Sequence, residues 1–132
     1  MNRALPALLA LMLSANGLVM LAASRWWYGA VPGVVMTGPF NPHFVKDIGA
    51  AYLAAGLGFA WLAIEQSPRG RGAAFAGALF LALHAGIHLA DAMGAPSGLS
   101  DLVRDAPGVI APAILALWLA WPSRPSSETS HA

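Results

Sequence analysis

Four long apolar stretches follow one another along the chain, and short segments rich in glycine, proline and polar residues separate them. The stretches are residues 4–23, 43–64, 73–93 and 106–121. A helix that crosses a bilayer needs about 20 mostly apolar residues; three stretches reach that length and the fourth is shorter. The pattern therefore predicts an all-α fold, an antiparallel bundle of four membrane helices within one domain, residues 1–122.

Turn-forming residues mark where the helices begin. The segments between the apolar stretches read "VPGVVMTGPFNP", "QSPRGRG" and "GAPSGLS". Asn41 followed by Pro42 is typical of a helix N-terminus, with asparagine as the capping residue and proline in the first turn. The second helix is therefore predicted to begin at about His43. Asp105 and Pro107 predict a similar start for the fourth helix.

The first apolar stretch also has an alternative interpretation. Asn2, Arg3, the apolar run and "LAAS" have the order of a cleavable signal peptide, which would remove residues 1–23. The run of about 20 apolar residues exceeds the ~7–15 residues of a signal-peptide core. Its length favours a helix that stays in the membrane.

The composition differs from that of a soluble domain. Hydrophobic residues make up 58% of the chain and charged residues 10%, whereas soluble domains have about a quarter charged residues. Mean hydropathy is +0.62. A net charge of +1 gives no basic surface for nucleic acid, and the lack of cysteine excludes disulfides, iron–sulfur clusters and thiolate zinc sites. Residues 123–132 are polar and are predicted to be a disordered tail.

Basic residues predict the orientation, because cytoplasmic loops carry more lysine and arginine. With four crossings, one side of the membrane holds Arg3, Arg69, Arg71 and Arg124, and the other holds Arg25, Lys46 and Arg104. We therefore predict that both termini are cytoplasmic. The predicted interface anchors are Arg25, Trp26, Trp27 and Tyr28 on the outer side and Trp118 and Trp121 on the inner side.

Ionisable residues cluster within two of the predicted membrane helices. In "HAGIHLAD", His84, His88 and Asp91 project within about 60° of one another on the third helix. His43 and Asp47 share a face of the second helix by the same spacing. Counted from the helix ends, His84 lies nearest the midplane and the others lie in the outer half. Since such residues face the bundle interior, we predict that these five line one pocket that opens to the periplasm.

Four interpretations of this pocket follow from the residue types. Two imidazoles at i, i+4 with a carboxylate suit a divalent metal, which could be zinc, iron or copper. Haem b would need one histidine from each of two helices, for example His43 with His88. A third interpretation is a proton-linked or small-ligand pocket, for instance for a quinone head group, because histidine titrates near neutral pH. In the fourth, the polar groups are only interhelical hydrogen bonds.

The first loop, residues 24–42, contains six apolar residues that favour a return towards the bundle: Trp26, Trp27, Val34, Val35, Met36 and Phe40. We predict that it forms a lid over the pocket. Four short helices enclose little volume, so we also expect the chain to act as a homo-oligomer or within a larger membrane complex, surrounded by the lipid bilayer.

The stretch "NPHFVKDIGAAYLAAGLGFAWLA", after "RWWYGAVPGV" and "TGPF", resembles small four-helix bacterial inner-membrane proteins of the DoxX-like kind. The similarity covers the first loop and the second helix, about a third of the chain. It implies a bacterial inner-membrane location, a four-helix bundle and an accessory role in redox or thiol-stress contexts. His84, His88 and Asp91 depart from the family pattern, so the resemblance transfers no functional residue.

Overall fold

The computed structural model describes residues 2–121, and within that range the chain is helical with no β-strand. The α-helices are α1 (Ala4–Ala22), α2 (Ser24–Ala30), α3 (Pro42–Ile64), α4 (Pro68–Gly94), α5 (Gly98–Asp105) and α6 (Ala111–Ala120). A short 3₁₀ turn, Val34–Thr37, lies in the first loop, and a π-helical turn, Ala106–Ile110, joins α5 to α6. The predicted all-α bundle is confirmed. The tail predicted for residues 123–132 lies outside the described residues.

Four helical segments are long and apolar enough to cross a membrane. They are Ala4–Ala22, Pro42–Ile64, Pro68–Gly94 and Gly98–Ala120. Large apolar side chains cover their outward faces: Leu11, Leu83 and Ile114 are 67%, 64% and 64% exposed. Such faces fit lipid chains rather than water, because a soluble monomer rarely exposes large contiguous apolar patches. The chain is a multi-pass membrane protein.

Capping side chains begin α3 and α4. The Asn41 side chain accepts hydrogen bonds from the backbone N–H groups of His43 and Phe44, and Pro42 occupies the first turn, as predicted. Ser67 makes the equivalent bonds for α4, with Pro68 in its first turn. The third membrane helix therefore begins at Pro68 and not at residue 73. The sequence "SPRGRG" was assigned to a loop, although Ser followed by Pro is itself a helix-start signal.

The turn between α3 and α4 is held by polar contacts to Glu65. The Ser67 hydroxyl donates to the Glu65 carboxylate at 2.7 Å, and the Trp61 indole N–H donates to it at 2.8 Å. These two hydrogen bonds stabilise the ionised form and hold the pKa of Glu65 below its ordinary value. The short turn brings α3 and α4 together as antiparallel neighbours.

The fourth membrane segment starts earlier than predicted and is irregular. Asp105 is predicted to cap it, but it is the last residue of α5, and its side chain bonds to His88 of α4 and to Arg104 of its own helix instead. Pro107 has no backbone N–H, so the regular α pattern cannot pass through it. A π turn carries the chain across this point, with the Ala111 N–H donating to the Ala106 carbonyl.

Glycine allows close packing between neighbouring helices. A β-carbon on Gly17 of α1 would lie 2.6 Å from the carbonyl oxygen of Gly49 in α3, and one on Gly77 of α4 would lie 2.9 Å from the α-carbon of Ala55. Phe59 and Leu62 of α3 are fully buried in the resulting core. The helices pack in the order α1, α3, α4 and α6, while α1 and α6 touch only slightly. One side of the bundle is therefore loosely closed.

The predicted interface anchors divide into two groups. Trp26, Trp118 and Trp121 are 66%, 65% and 65% exposed, which fits side chains at a membrane interface. Trp27 and Tyr28 are half-buried instead. The indole N–H of Trp27 donates to the Asn16 side chain at 2.9 Å, so this residue fastens α2 to α1. Arg25, also in α2, contacts the end of the first loop: its guanidinium lies 5.1 Å from the centre of the Phe40 ring.

Candidate functional site

His84 and His88 lie side by side on α4, with their ring centres 4.8 Å apart. Aromatic rings surround the deeper of the two. The His84 ring centre is 5.8 Å from that of Tyr52 on α3 and 6.0 Å from that of Phe80 on α4. His84 is therefore in contact with the interior of the bundle, while His88, one turn along α4, lies closer to α5.

Asp105 of α5 is the partner of the histidine pair. Its carboxylate lies 2.7 Å from Nδ1 of His88, and the two side chains are only 11% and 27% exposed. Arg104 donates to the same carboxylate through Nε at 2.8 Å and through Nη2 at 3.2 Å. Three N–H groups can thus converge on Asp105, an arrangement that favours its ionised form.

The polar contacts continue from Asp105 to the end of the bundle where α5 begins. Nη1 of Arg104 donates to Asp101 at 2.7 Å, and the Ser97 hydroxyl donates to the other oxygen of Asp101 at 2.7 Å. We refer to this continuous set as the His–Asp–Arg chain; its members are His84, His88, Asp105, Arg104, Asp101 and Ser97.

The His–Asp–Arg chain reaches into the membrane-spanning part of the bundle. His88 and His84 precede the last residue of α4, Gly94, by six and ten residues, which places them about 9 and 15 Å below that helix end. Asp105 immediately precedes the π turn that interrupts the fourth membrane segment. π turns often occur at functional sites. The His–Asp–Arg chain therefore extends from one end of the bundle towards its middle, and Asp105 lies next to the π turn.

His43, Asp47 and Asp91, which were predicted to line the same pocket, occupy other positions. His43 and Asp47 face each other at 3.5 Å with 88% and 61% of their side chains exposed, and Asp91 is exposed on α4. The carboxylate that contacts His88 is Asp105, and not Asp47 or Asp91. The inward face of α3 carries Tyr52. The predicted inward face, which carries His43 and Asp47, points in a different direction.

The missed residues had a sequence signal. Asp101, Arg104 and Asp105 are spaced i, i+3 and i+4, which places one guanidinium and two carboxylates on one face of a helix. The turn-forming residues of "GAPSGLS" predict a loop, and Asp105 before Pro107 predicts a helix cap, so α5 and its charged face lie outside the prediction. The partner of His88 comes from the helix that follows α4.

The arrangement differs from the predicted metal site. Within residues 2–121, no three side chains of the types histidine, aspartate and glutamate converge as a metal site would require. For haem b, His43 is the predicted second ligand, but it is 88% exposed and faces Asp47. His84 and His88 project from the same face of α4, so they cannot bind one iron from opposite sides. Of the two neighbouring histidines, His88 contacts a carboxylate, that of Asp105, which Arg104 also binds.

Two carboxylates, Asp101 and Asp105, face a single guanidinium, that of Arg104. The Asp101 end of the His–Asp–Arg chain is partly exposed, whereas the Asp105 side chain is only 11% exposed. Imidazole is the side-chain group that takes up and releases protons near neutral pH. The chemistry that this arrangement supports is the uptake and release of a proton by a histidine pair beside a carboxylate.

The fold and the site together define the class: a small multi-pass helical membrane protein with a polar chain extending inward from one end of its bundle. Comparison of the sequence and structure with protein-family models, curated proteins and solved structures finds no match.

Proposed function

We propose that the protein binds and releases a proton at the His84–His88 pair and couples this step to the work of a membrane complex. The observation that carries the proposal is the 2.7 Å contact between His88 Nδ1 and Asp105. Both the protonated imidazole and the neutral Nδ1–H tautomer can donate this hydrogen bond to the carboxylate. Histidine is the side chain whose ordinary titration range includes physiological pH, so a modest change in surroundings can load or unload the site.

The groups that act on this proton come from each neighbouring element. His84 and His88 are contributed by α4, Tyr52 by α3, and Asp101, Arg104 and Asp105 by α5. The two imidazoles are close enough that a proton on one disfavours a proton on the other. The titration of the two imidazoles is therefore expected to be coupled.

The location is part of the proposal. The distribution of basic residues supports a bundle with cytoplasmic termini, and the α4–α5 end would then face the periplasm. The resemblance of the first loop and α3 to DoxX-like proteins supports the bacterial inner membrane and an accessory role, for example in a membrane oxidoreductase. Four helices form no complete pathway on their own, so the proton would be exchanged with further copies or with a partner subunit.

Nuclear magnetic resonance of the histidine side chains tests the proposal. Protein labelled with ¹⁵N-histidine in detergent micelles would be titrated between about pH 4 and 9, with each signal assigned from single histidine variants. We expect His84 and His88 to titrate in coupled steps. In Asp105→Asn the pair should lose its proton at lower pH than in the unaltered protein, because the negative partner is gone.

His43 provides the matched control, since it also faces an aspartate, Asp47, but is 88% exposed. Its titration should be the same in the unaltered protein and in Asp105→Asn. If His84 and His88 titrate independently and Asp105→Asn changes neither, the proposal is wrong. If both stay neutral throughout and the variants only lower stability, the cluster serves as an interhelical contact.

A divalent metal is the second candidate, favoured by the same His88–Asp105 contact. Histidines that bind metals commonly donate their second nitrogen to a carboxylate, and that bond leaves Nε2 of His88 free beside His84. The remaining ligands would have to come from water or from another copy of the chain. Elemental analysis of purified protein tests this: a stoichiometric metal that is lost in both His84→Ala and His88→Ala supports the candidate, and metal-free protein contradicts it.

A further inference from the structure

Gly33 is the point where the first loop meets α5. Its backbone adopts the left-handed conformation, with φ of 85°, which glycine tolerates best. A β-carbon at this position would lie 2.5 Å from Nε and 2.6 Å from Cζ of Arg104. No side chain fits between the two groups. The Gly33 backbone therefore rests directly on the guanidinium that also binds Asp101 and Asp105.

The loop that carries Gly33 is folded back on itself and onto α2. The Tyr28 hydroxyl donates to the carbonyl of Gly38, and the rings of Tyr28 and Phe40 are 5.2 Å apart. Within the loop, the Met36 N–H donates to the Gly33 carbonyl at 3.0 Å. The segment between Gly33 and Gly38 is thus a short structured unit. Both ends have positive φ values, 85° and 134°.

Arg104 is held in place from the other side. Its guanidinium binds two carboxylates, Asp101 at 2.7 Å and Asp105 at 2.8 Å. Hydrogen bonds to ionised partners are the stronger kind, and the planar guanidinium has a fixed geometry for them. The surface on which Gly33 rests is therefore positioned by two carboxylates, one of which, Asp105, also contacts His88.

We propose that residues 31–38 form a lid over Arg104, at the α4–α5 end of the His–Asp–Arg chain, and that the Arg104 guanidinium is the latch that holds the lid closed. Opening would uncover the face of the guanidinium that Gly33 covers, and closing would cover it again. The first loop is predicted to return towards the bundle, and the contact between Gly33 and Arg104 is where it does so. The lid does not depend on the proton proposal, because a metal or another small ligand at the same histidines would need the same entrance.

Cysteine labelling measures the opening of the lid directly, because the natural sequence contains no cysteine. Val34 is half-buried in the loop and Met36 is 82% exposed. In detergent micelles, the cysteine of Val34→Cys should react slowly with a polar maleimide and that of Met36→Cys quickly. Adding Gly33→Ala should raise the Val34→Cys rate several-fold, because the new methyl group cannot fit against Arg104.

Gly38→Ala is the control for backbone strain. Gly38 has φ 134° and ψ −178°, a region that essentially only glycine occupies, and a β-carbon there would meet nothing within 4 Å. Any rise in the Val34→Cys rate in this variant therefore reports backbone strain without a collision, and it should not depend on Arg104. The effect of Gly33→Ala should instead be smaller in an Arg104→Ala background, where the collision is removed. Such non-additivity is the signature of a direct contact.

A Gly33→Ala effect that is the same with and without the Arg104 side chain would overturn the proposal, because Gly33 would then matter only for its backbone conformation. If Gly33→Ala does not fold, Arg104→Lys provides a second test: it keeps the charge but removes the planar group. The Val34→Cys rate should rise in this variant, and an unchanged rate contradicts the latch. The readout is labelling of the loop, so a failure here is distinct from a failure in the histidine titration.

Discussion

Asp105 joins the histidine pair to Arg104 in the His–Asp–Arg chain. It accepts two N–H groups from Arg104, at 2.8 and 3.2 Å, and lies 2.7 Å from His88. Its side chain is only 11% exposed, so water cannot replace these partners easily. When one member of a poorly hydrated group is removed, the others lose their hydrogen bonds and keep the cost of desolvation. Asp105 is therefore the residue whose loss should matter most.

Asp105→Asn should lower the free energy of unfolding by about 1–3 kcal/mol, the usual cost of leaving buried polar groups without partners. Asp91→Asn removes a carboxylate of the same type from an exposed position on α4, so it should change stability by less than about 0.5 kcal/mol. Unfolding by a denaturing detergent, followed by tryptophan fluorescence, compares the two variants. Equal effects would show that the Asp105 contacts contribute nothing special to stability.

Helix starts were predicted well where the sequence carried a complete signal, and less well where two signals competed. Asn41-Pro42 followed a clear loop and was placed correctly. Ser67-Pro68 stands before two arginines and two glycines, which favour a loop, yet α4 begins there. Pairing with the antiparallel α3 stabilises this first turn. Local propensity is a weak guide when tertiary packing decides the outcome.

The face of a membrane helix was harder to predict than its position along the chain. On α3, the polar residues His43 and Asp47 indicate an inward face, but the buried face carries Tyr52 and Phe59. In a membrane, both the lipid-facing and the buried sides are apolar, so hydrophobic periodicity does not separate them. His84 and His88 were recognised because imidazoles are rarely placed against lipid. The position of their partner, Asp105, depends on two elements. One is α5, whose charged residues at i, i+3 and i+4 are visible in the sequence, and the other is the π turn, which no local pattern predicts.

Asn41 gives a prediction at the level of one helix. Asn41→Ala should destabilise the protein by about 0.5–2 kcal/mol, because the N–H groups of His43 and Phe44 lose their acceptor at the start of α3. Asn41→Asp keeps an acceptor oxygen and adds a negative charge, which is favourable near a helix N-terminus. It should therefore match the unaltered protein within a few tenths of a kcal/mol. Equal losses in both variants, measured by unfolding in detergent, would contradict the capping role.

For the molecule as a whole, the irregular fourth membrane segment and the polar chain occur at the same end. The loops at that end are the first loop and the turn between α4 and α5, and the first loop rests on Arg104 through Gly33. The other end has a short capped turn at Ser67. This asymmetry favours one working face. Which side of the membrane that face occupies decides whether the proton comes from the periplasm or from the cytoplasm.

Reporter fusions determine that side. Four crossings place the turn near Ser67 and the end of the chain on the same side of the membrane, and the basic residues favour the cytoplasm for both. A reporter active only in the periplasm should therefore be inactive when inserted near Ser67 or fused after residue 132. The same reporter inserted next to Met36, which is 82% exposed in the first loop, should be active. The opposite result at all three positions would leave the bundle intact but place the histidine pair towards the cytoplasm. A mixed result for the positions near Ser67 and after residue 132 would contradict the four crossings themselves.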